Sequence, residues 1–333
     1  MGGTPMPEKN KPLLLRPIGK DYLWGGNRLN DTFAKNIAMS PLAETWECST
    51  HPDGESYVAG GDFDGKTLAQ VLEIHPEYLG SRHRGERKLP LLIKFIDAKR
   101  DLSVQVHPTD DYARCNENGQ LGKTEMWYIL DAKPGTNLIY GLRQDCTKEV
   151  LRQAIAEGNV MKYLQKVPIH RDDLFFIPPG TIHAIGAGAL VAEIQESSNL
   201  TYRLYDYDRV DQNGQKRPLH IEKALDVANL HGSAEPRQPL RVLKYRQGVA
   251  SELLSRCKYF EVYRMLVNTE RRQKVEYRAD ELSFRVLLCV GGCGTISYPG
   301  GSIPFYKGDC IFVPADSVTL TIHAQAQFLD VKG

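Results

Sequence analysis

Leu102-Ser103-Val104-Gln105-Val106-His107-Pro108 alternates without a break. Read as a strand, it sends Leu102, Val104 and Val106 to one face and Ser103, Gln105 and His107 to the other, because successive side chains on a pleated chain point opposite ways. Pro108 has no backbone N–H and closes the strand. A strand half open to water would carry Lys, Glu or Thr on its polar face. This one aligns a hydroxyl, an amide and an imidazole, which suits the inside of a small β-barrel holding a metal and a ligand. The plainer reading is a polar edge strand with one solvated histidine, and the strand alone does not separate the two.

What separates them lies downstream. In Gly122-Lys123-Thr124-Glu125-Met126-Trp127-Tyr128-Ile129-Leu130, Lys123 and Glu125 share one face and Met126, Tyr128 and Leu130 take the other. Pro178-Pro179-Gly180 makes a tight turn, and His183 follows on the next strand. His107, Glu125 and His183 form a donor set for zinc, iron or another divalent first-row ion. A Gln105 amide oxygen can supply a fourth bond and still leave room for substrate oxygens. Such ligands, spread over separate strands, converge only where inward positions alternate. Against this stands the reading that both histidines are core residues bonded to backbone. His51, beside Pro52 and Asp53, reads as a local hydrogen-bonder.

The chain has 333 residues, 41% hydrophobic and 25% charged, enough for two soluble domains with sizeable cores. Lys+Arg 42 against Asp+Glu 41 leaves a net charge of +1, so no global field favours nucleic acid or an anionic membrane. No apolar run is long enough to span a bilayer. Residues 1–12 are rich in Gly, Pro and Lys and read as a disordered tail rather than a secretory signal. The seven cysteines are odd in number and lack Cys-x-x-Cys spacing, which predicts reduced thiols and a cytoplasmic protein. Short strands with Gly/Pro turns dominate. Helical patterns interrupt them at residues 67–79, 147–165 and 219–230. Lys94 sits inside the apolar strand of residues 89–96, either snorkelling or facing a polar pocket. Glycine-rich dinucleotide and phosphate loops and the Gly-x-Ser-x-Gly elbow are absent. The expectation is a mainly β fold with inserted helices.

Several blocks together resemble the type I mannose-6-phosphate isomerase family, in its short bacterial form, within the cupin superfamily. They are Leu89-Pro90-Leu91-Leu92-Ile93-Lys94, Asp101 to Pro108, Gly122-Lys123-Thr124-Glu125, Pro178 to Ala184, Glu193, and Tyr202-Arg203-Leu204-Tyr205-Asp206. The resemblance runs from about residue 13 to 230. It implies jelly-roll cupin barrels and a zinc enzyme interconverting mannose 6-phosphate and fructose 6-phosphate. Position by position, it makes Gln105, His107, Glu125 and His183 the zinc ligands and Arg203 the catalytic arginine. Lys123 and Glu193 become pocket residues and Ser103 a phosphate contact. Longer relatives carry a phosphate-binding lysine six residues beyond the arginine, where Arg209 stands here. The chemistry asks for the same groups. Moving a proton between adjacent carbons needs an electrophile for two sugar oxygens, a permanent cation and a base. Glu193, Lys123 and a metal-bound hydroxide all qualify as the base. Each also has a plainer reading: solvated strand residue for Glu193, surface cation for Lys123, ion-pair partner of Asp206 or Asp208 for Arg203.

Residues 307–316 echo residues 171–180, but Thr319 falls where His183 falls in the first copy. The expected organisation is therefore a catalytic metal-binding domain over 13–235, a Pro-containing link at 235–239, and a degenerate second barrel over 240–333. Two rival classes stand beside an isomerase. Two His and one Glu also make the facial triad of non-haem iron oxygenases, although Gln105 would crowd the positions oxygen needs. A non-catalytic sugar-binding cupin would have no use for the full ligand set beside Lys123, Glu193 and Arg203.

Overall fold

Of the alternating stretch only Val104–Val106 forms a strand; Leu102, expected on the face of Val104 and Val106, lies ahead of it and packs instead with Trp127, Ile129 and Ile185. Val104 and Val106 are buried in an apolar cluster with Ile139, Leu142, Ala184, Tyr202 and Leu204, while Ser103 and His107 are buried as polar groups. The computed structural model describes residues 10–211, 213–234, 236, 238–270 and 273–333. The structure is mainly β and falls into two units. One comprises 19–46 and 91–239, the other the described residues of 1–18 together with 47–90 and 240–333.

In the first unit the strands form two sheets. One runs in the order Leu174–Ile177, Glu125–Ala132, Ala189–Glu196, Leu91–Asp97, Glu44–Cys48 and Ile18–Lys20. The other runs Leu164–Pro168, Asn137–Leu142, His183–Ile185, Val104–Val106 and Tyr202–Tyr205. All the pairings that build the site are antiparallel. The sheets face each other across Trp127, Ile129, Phe175 and Val191 from one side and Leu138, Val167 and Ile185 from the other. They share no hydrogen-bonded ladder, so the expected barrel is a two-sheet jelly-roll sandwich.

Helices are shorter than their apolar periodicity suggests. The pattern over 147–165 resolves into a helix at Lys148–Ala156, capped by the Thr147 side chain, then a 3-10 turn and the Leu164–Pro168 strand. Gly158, at φ +69°, ends the helical run. The pattern over 67–79 becomes a helix at Leu68–Ile74 with a full Thr67/Gln70 capping box, followed by a 3-10 turn at Pro76–Leu79. The pattern over 219–230 becomes a helix at Ile221–Val227.

The second unit is built on a ten-stranded sheet with a core of Leu287, Ile296, Phe305, Ile311, Leu320 and Phe328. Leu13–Arg16 pairs in it with Cys310–Val313, Leu13 opposite Phe312, and on its other edge with Tyr57–Val58. The grouping therefore differs from a single break at 235–240: the N-terminal strand and residues 47–90 belong with the C-terminal sheet. Of the expected disordered tail, residues 1–9 lie outside the described residues. Asn10 does not behave as a tail. It bridges to Ser317, and its side-chain amide donates to Ala315 O at 2.7 Å. Of the link at 235–239, residues 235 and 237 are likewise outside the description.

Candidate metal centre and substrate pocket

One cross-strand row assembles half of the site. Tyr140 lies opposite His183, His183 opposite Gln105, and Gln105 opposite Arg203. Directly paired residues in a sheet project to the same face, so these four chain segments line up one polar row. The facing sheet supplies two rows of its own: Ile177, Glu125 and Gln195 in one, and Trp127, Glu193 and Lys94 in the next on the same face. His107, two residues beyond Gln105, keeps that residue's parity and points to the same side.

His107, Glu125 and His183 offer ligand atoms that all lie within 4.8 Å of one another, and all three residues are buried. His107 Nε2 is 3.2 Å from Glu125 Oε1, and His183 Nε2 is 3.6 Å from Glu125 Oε2. The His183 Nδ1 hydrogen bonds to Thr181 O at 2.8 Å. A carbonyl only accepts, so Nδ1 carries the proton and Nε2 keeps its lone pair turned inward. Both ring nitrogens of His107 and Glu125 Oε2 are buried without a hydrogen bond. Unpaired polar atoms in so dry a place, the lone pair of His107 among them, are what a bound cation satisfies, and the donor set fits one divalent ion. Gln105 places its amide nitrogen 3.5 Å from His183 Nε2. Rotating that amide by half a turn presents oxygen instead, a choice the two isoelectronic ends leave to the hydrogen-bond network.

Burial, and then the Lys123 ammonium, push His107 down to about 3, so the ring is neutral and available as a donor at ordinary pH. His183 is lowered as well, chiefly by burial. Burial acts to raise Glu125, yet Lys123, with Nζ 2.6 Å from Oε1, and then His107 hold it well below the usual carboxylate range. Lys123 therefore sits in the pocket and is not a surface cation; it is only about 4% exposed.

Glu193 is also buried rather than solvated. Its Oε2 accepts from Trp127 Nε1 at 2.8 Å, and Oε1 lies 3.4 Å from Lys94 Nζ. Burial first, and the negative charge of Glu125 next, raise its carboxyl. Lys94, noticed in the sequence as a lysine inside an apolar strand, faces this polar pocket. Burial works against its charge, but Glu44 at 3.6 Å and Glu193 hold it as an ammonium, and the Trp46 ring lies 4.8 Å away. Glu44 and Trp127 were not singled out by sequence reasoning. Lys94 was the signal for both, since a buried ammonium must find carboxylates and a buried carboxylate must find donors.

Arg203 Nε donates to Ser103 Oγ at 3.2 Å and Nη1 to Pro218 O at 2.9 Å. Asp206, considered as its partner, is taken by Arg209 and by a two-pronged contact from Arg217 at 2.8 and 2.6 Å, and Asp208 by Lys216. Arg209 also donates to Asp101 O and lies over the Tyr207 ring. Arg217 went unnoticed in the sequence because it lies in a polar loop with no periodicity. Burial, and then Arg217, lower Arg203. His51 is a turn residue, as expected, accepting from Asp53 N. The seven cysteines are all free, and no helix among the described residues is long and apolar enough to cross a membrane.

Two family models match the chain. The description "Phosphomannose isomerase type I, catalytic domain" matches residues 13–133, and "Mannose-6-phosphate isomerase, cupin domain" matches 250–332. The Bacillus subtilis mannose-6-phosphate isomerase ManA is 38% identical over 307 residues, covering 91% of this chain and 93% of that one. A Streptococcus mutans mannose-6-phosphate isomerase is 38% identical over 304 residues, covering 91% and 92%. The crystal structure of the mannose 6-phosphate isomerase from B. subtilis superposes with a TM-score of 0.88 at 36% identity, over 96% of this chain and 99% of that one. The cupin match over 250–332 falls on the unit built on the ten-stranded sheet. With this identity sustained across both chains almost end to end, the chain belongs to the type I mannose-6-phosphate isomerase family.

Proposed function

We propose that the chain is a zinc-dependent aldose–ketose isomerase interconverting D-mannose 6-phosphate and D-fructose 6-phosphate through an enediol. The observation that carries this reading is the buried three-donor cluster facing a row that ends in Arg203. His107, Glu125, His183 and Gln105 would hold the ion, which when bound supplies Lewis acidity to the sugar oxygens. Glu193 takes the proton from C2 of the open-chain aldose and returns it to C1, while a hydroxyl proton passes from O2 to O1; nothing is oxidised or reduced overall. A carboxyl raised by burial and by Glu125 suits both halves of that transfer. Lys123 and Arg203 place fixed positive charge beside the oxygens that become negative. Ser103 and Arg209 serve the phosphate. Seven free cysteines support a cytoplasmic setting.

The test is formation of fructose 6-phosphate from mannose 6-phosphate in a coupled assay, with metal content measured on the same preparation. We expect turnover and about one equivalent of zinc, with both lost in His107→Ala and His183→Ala. Gln105→Ala should weaken zinc less, because a neutral amide is the poorer donor. Stoichiometric iron with oxygen consumption, or a folded protein without turnover, would sink the proposal.

A further inference from the structure

The segment 122–124, immediately ahead of Glu125, belongs to no strand or helix, yet it is buried and tied down at every amide. Gly122 N donates to Asp110 Oδ1 at 3.0 Å, Lys123 N to Pro108 O at 3.1 Å, and Thr124 N to Glu196 Oε2 at 2.7 Å. Glu196 N returns a bond to Thr124 O at 3.1 Å. Gly122 is pressed so closely on the chain at 108–110 that a Cβ there would sit 2.5 Å from Asp110 N. Glu196 is about 2% exposed, and burial with the nearby Asp110 charge raises its carboxyl. The two acids lie near each other and hold the segment at its two ends.

We propose that Asp110 and Glu196 form a clasp that fixes the backbone on either side of Lys123, and that they are positioning residues for the Lys123 ammonium and the Glu125 carboxylate. Neither acid touches the reacting atoms. Each holds one of the two amides that bracket Lys123, and the Lys123 Nζ contact with Glu125 Oε1 at 2.6 Å depends on where that short segment lies. The clasp also joins two of the three chain segments that carry ligands, since Asp110 follows His107 by three residues and Thr124 adjoins Glu125. This rests on the functional reading given above.

The test uses Glu196→Ala and Asp110→Ala, each freeing one end, beside Glu196→Gln. The glutamine amide oxygen still accepts from Thr124 N. Release of Zn2+ to a chromogenic chelator is measured together with kcat and KM for mannose 6-phosphate. Outer partners of metal ligands are worth about ten- to a hundred-fold in affinity or activity. We therefore expect each alanine variant to hold zinc at least about tenfold more weakly and to lose kcat to a similar degree, with KM changed far less. Glu196→Gln should return both to within about threefold of the parent. Alanine variants that keep zinc affinity and kcat within about twofold overturn the proposal, as does a Glu196→Gln protein as impaired as Glu196→Ala. If one alanine variant fails to fold, the other and the glutamine variant decide. A parent protein without isomerase activity would refute the functional reading, while zinc release across the variants would still decide the clasp.

Discussion

Arg203 and Arg209 stand six residues apart and answer to different partners. Arg203 continues the row from His183 and Gln105, so its loss should fall on the charge that develops during reaction. Arg203→Ala is expected to lower kcat about a hundred- to a thousand-fold, with KM little changed. Arg209 shares Asp206 with Arg217, which fixes its guanidinium without substrate. Its loss should raise KM more than it lowers kcat and erase preference for mannose 6-phosphate over mannose. Steady-state kinetics on both variants distinguishes the roles, and an Arg203→Ala protein altered only in KM would contradict them. Glu196 carries a pH signature of its own. Burial, with Asp110 adding to it, lifts its carboxyl from 4.5 to about 7. Between those values the native state keeps a proton that the unfolded chain has lost. Its contribution to stability is therefore complete below about pH 4.5 and disappears as pH rises to about 7. Urea unfolding should show the parent losing stability across that window relative to Glu196→Gln, which cannot titrate, and a constant difference would refute the assignment. At this scale much was legible. The parity of Ser103, Gln105 and His107, and the anomaly of Lys94, were local facts. The tie of Arg209 to Asp206 and Arg217 was not, because loop side chains choose partners only after the loop has closed.

Among the elements, helix starts were read more closely than helix lengths. Thr67 accepts from Gln70 N, and the Gln70 side chain accepts from Thr67 N, so the helix at Leu68–Ile74 begins on a complete capping box. Thr67→Ala should cost about 1 kcal/mol in urea unfolding and leave turnover unchanged. An unaltered midpoint would mean the cap contributes nothing to the folded unit. Helix lengths were overestimated because apolar residues continue past Gly158, where the chain turns into the Leu164–Pro168 strand, whose Leu164 and Val167 are buried in two different clusters. Periodicity reports which residues are buried, and two neighbouring elements can bury theirs in one run of sequence.

For the whole molecule, strand existence was visible in the sequence but strand partnership was not. Leu13–Arg16 reads as a strand from its own residues, whereas nothing local says that it pairs with Cys310–Val313, some three hundred residues away. A boundary drawn from composition therefore falls at 235–240, although the unit that holds the C-terminal sheet also takes in 47–90. A protein truncated after residue 239 should test the difference. Removing Cys310–Val313 uncovers Leu13 and Leu15 and leaves their strand with a bare edge, so the fragment should aggregate or elute as large oligomers in size-exclusion chromatography. A monomeric fragment with native-like circular dichroism would show that the N-terminal strand does not need that sheet.

The row from Tyr140 through His183 and Gln105 to Arg203 also has a meaning in time. Its members come from four stretches of chain far apart in sequence, and their alignment exists only once three separate ladders have closed. Long-range antiparallel pairing is the slow part of folding such a protein, since loop closure must precede the contacts that reward it. A nascent chain thus has no preformed nest for a cation until the segments carrying His107, Glu125 and His183 have come together. Trp127, its ring 5.3 Å from that of His183, stands where its fluorescence would report the moment the row is complete.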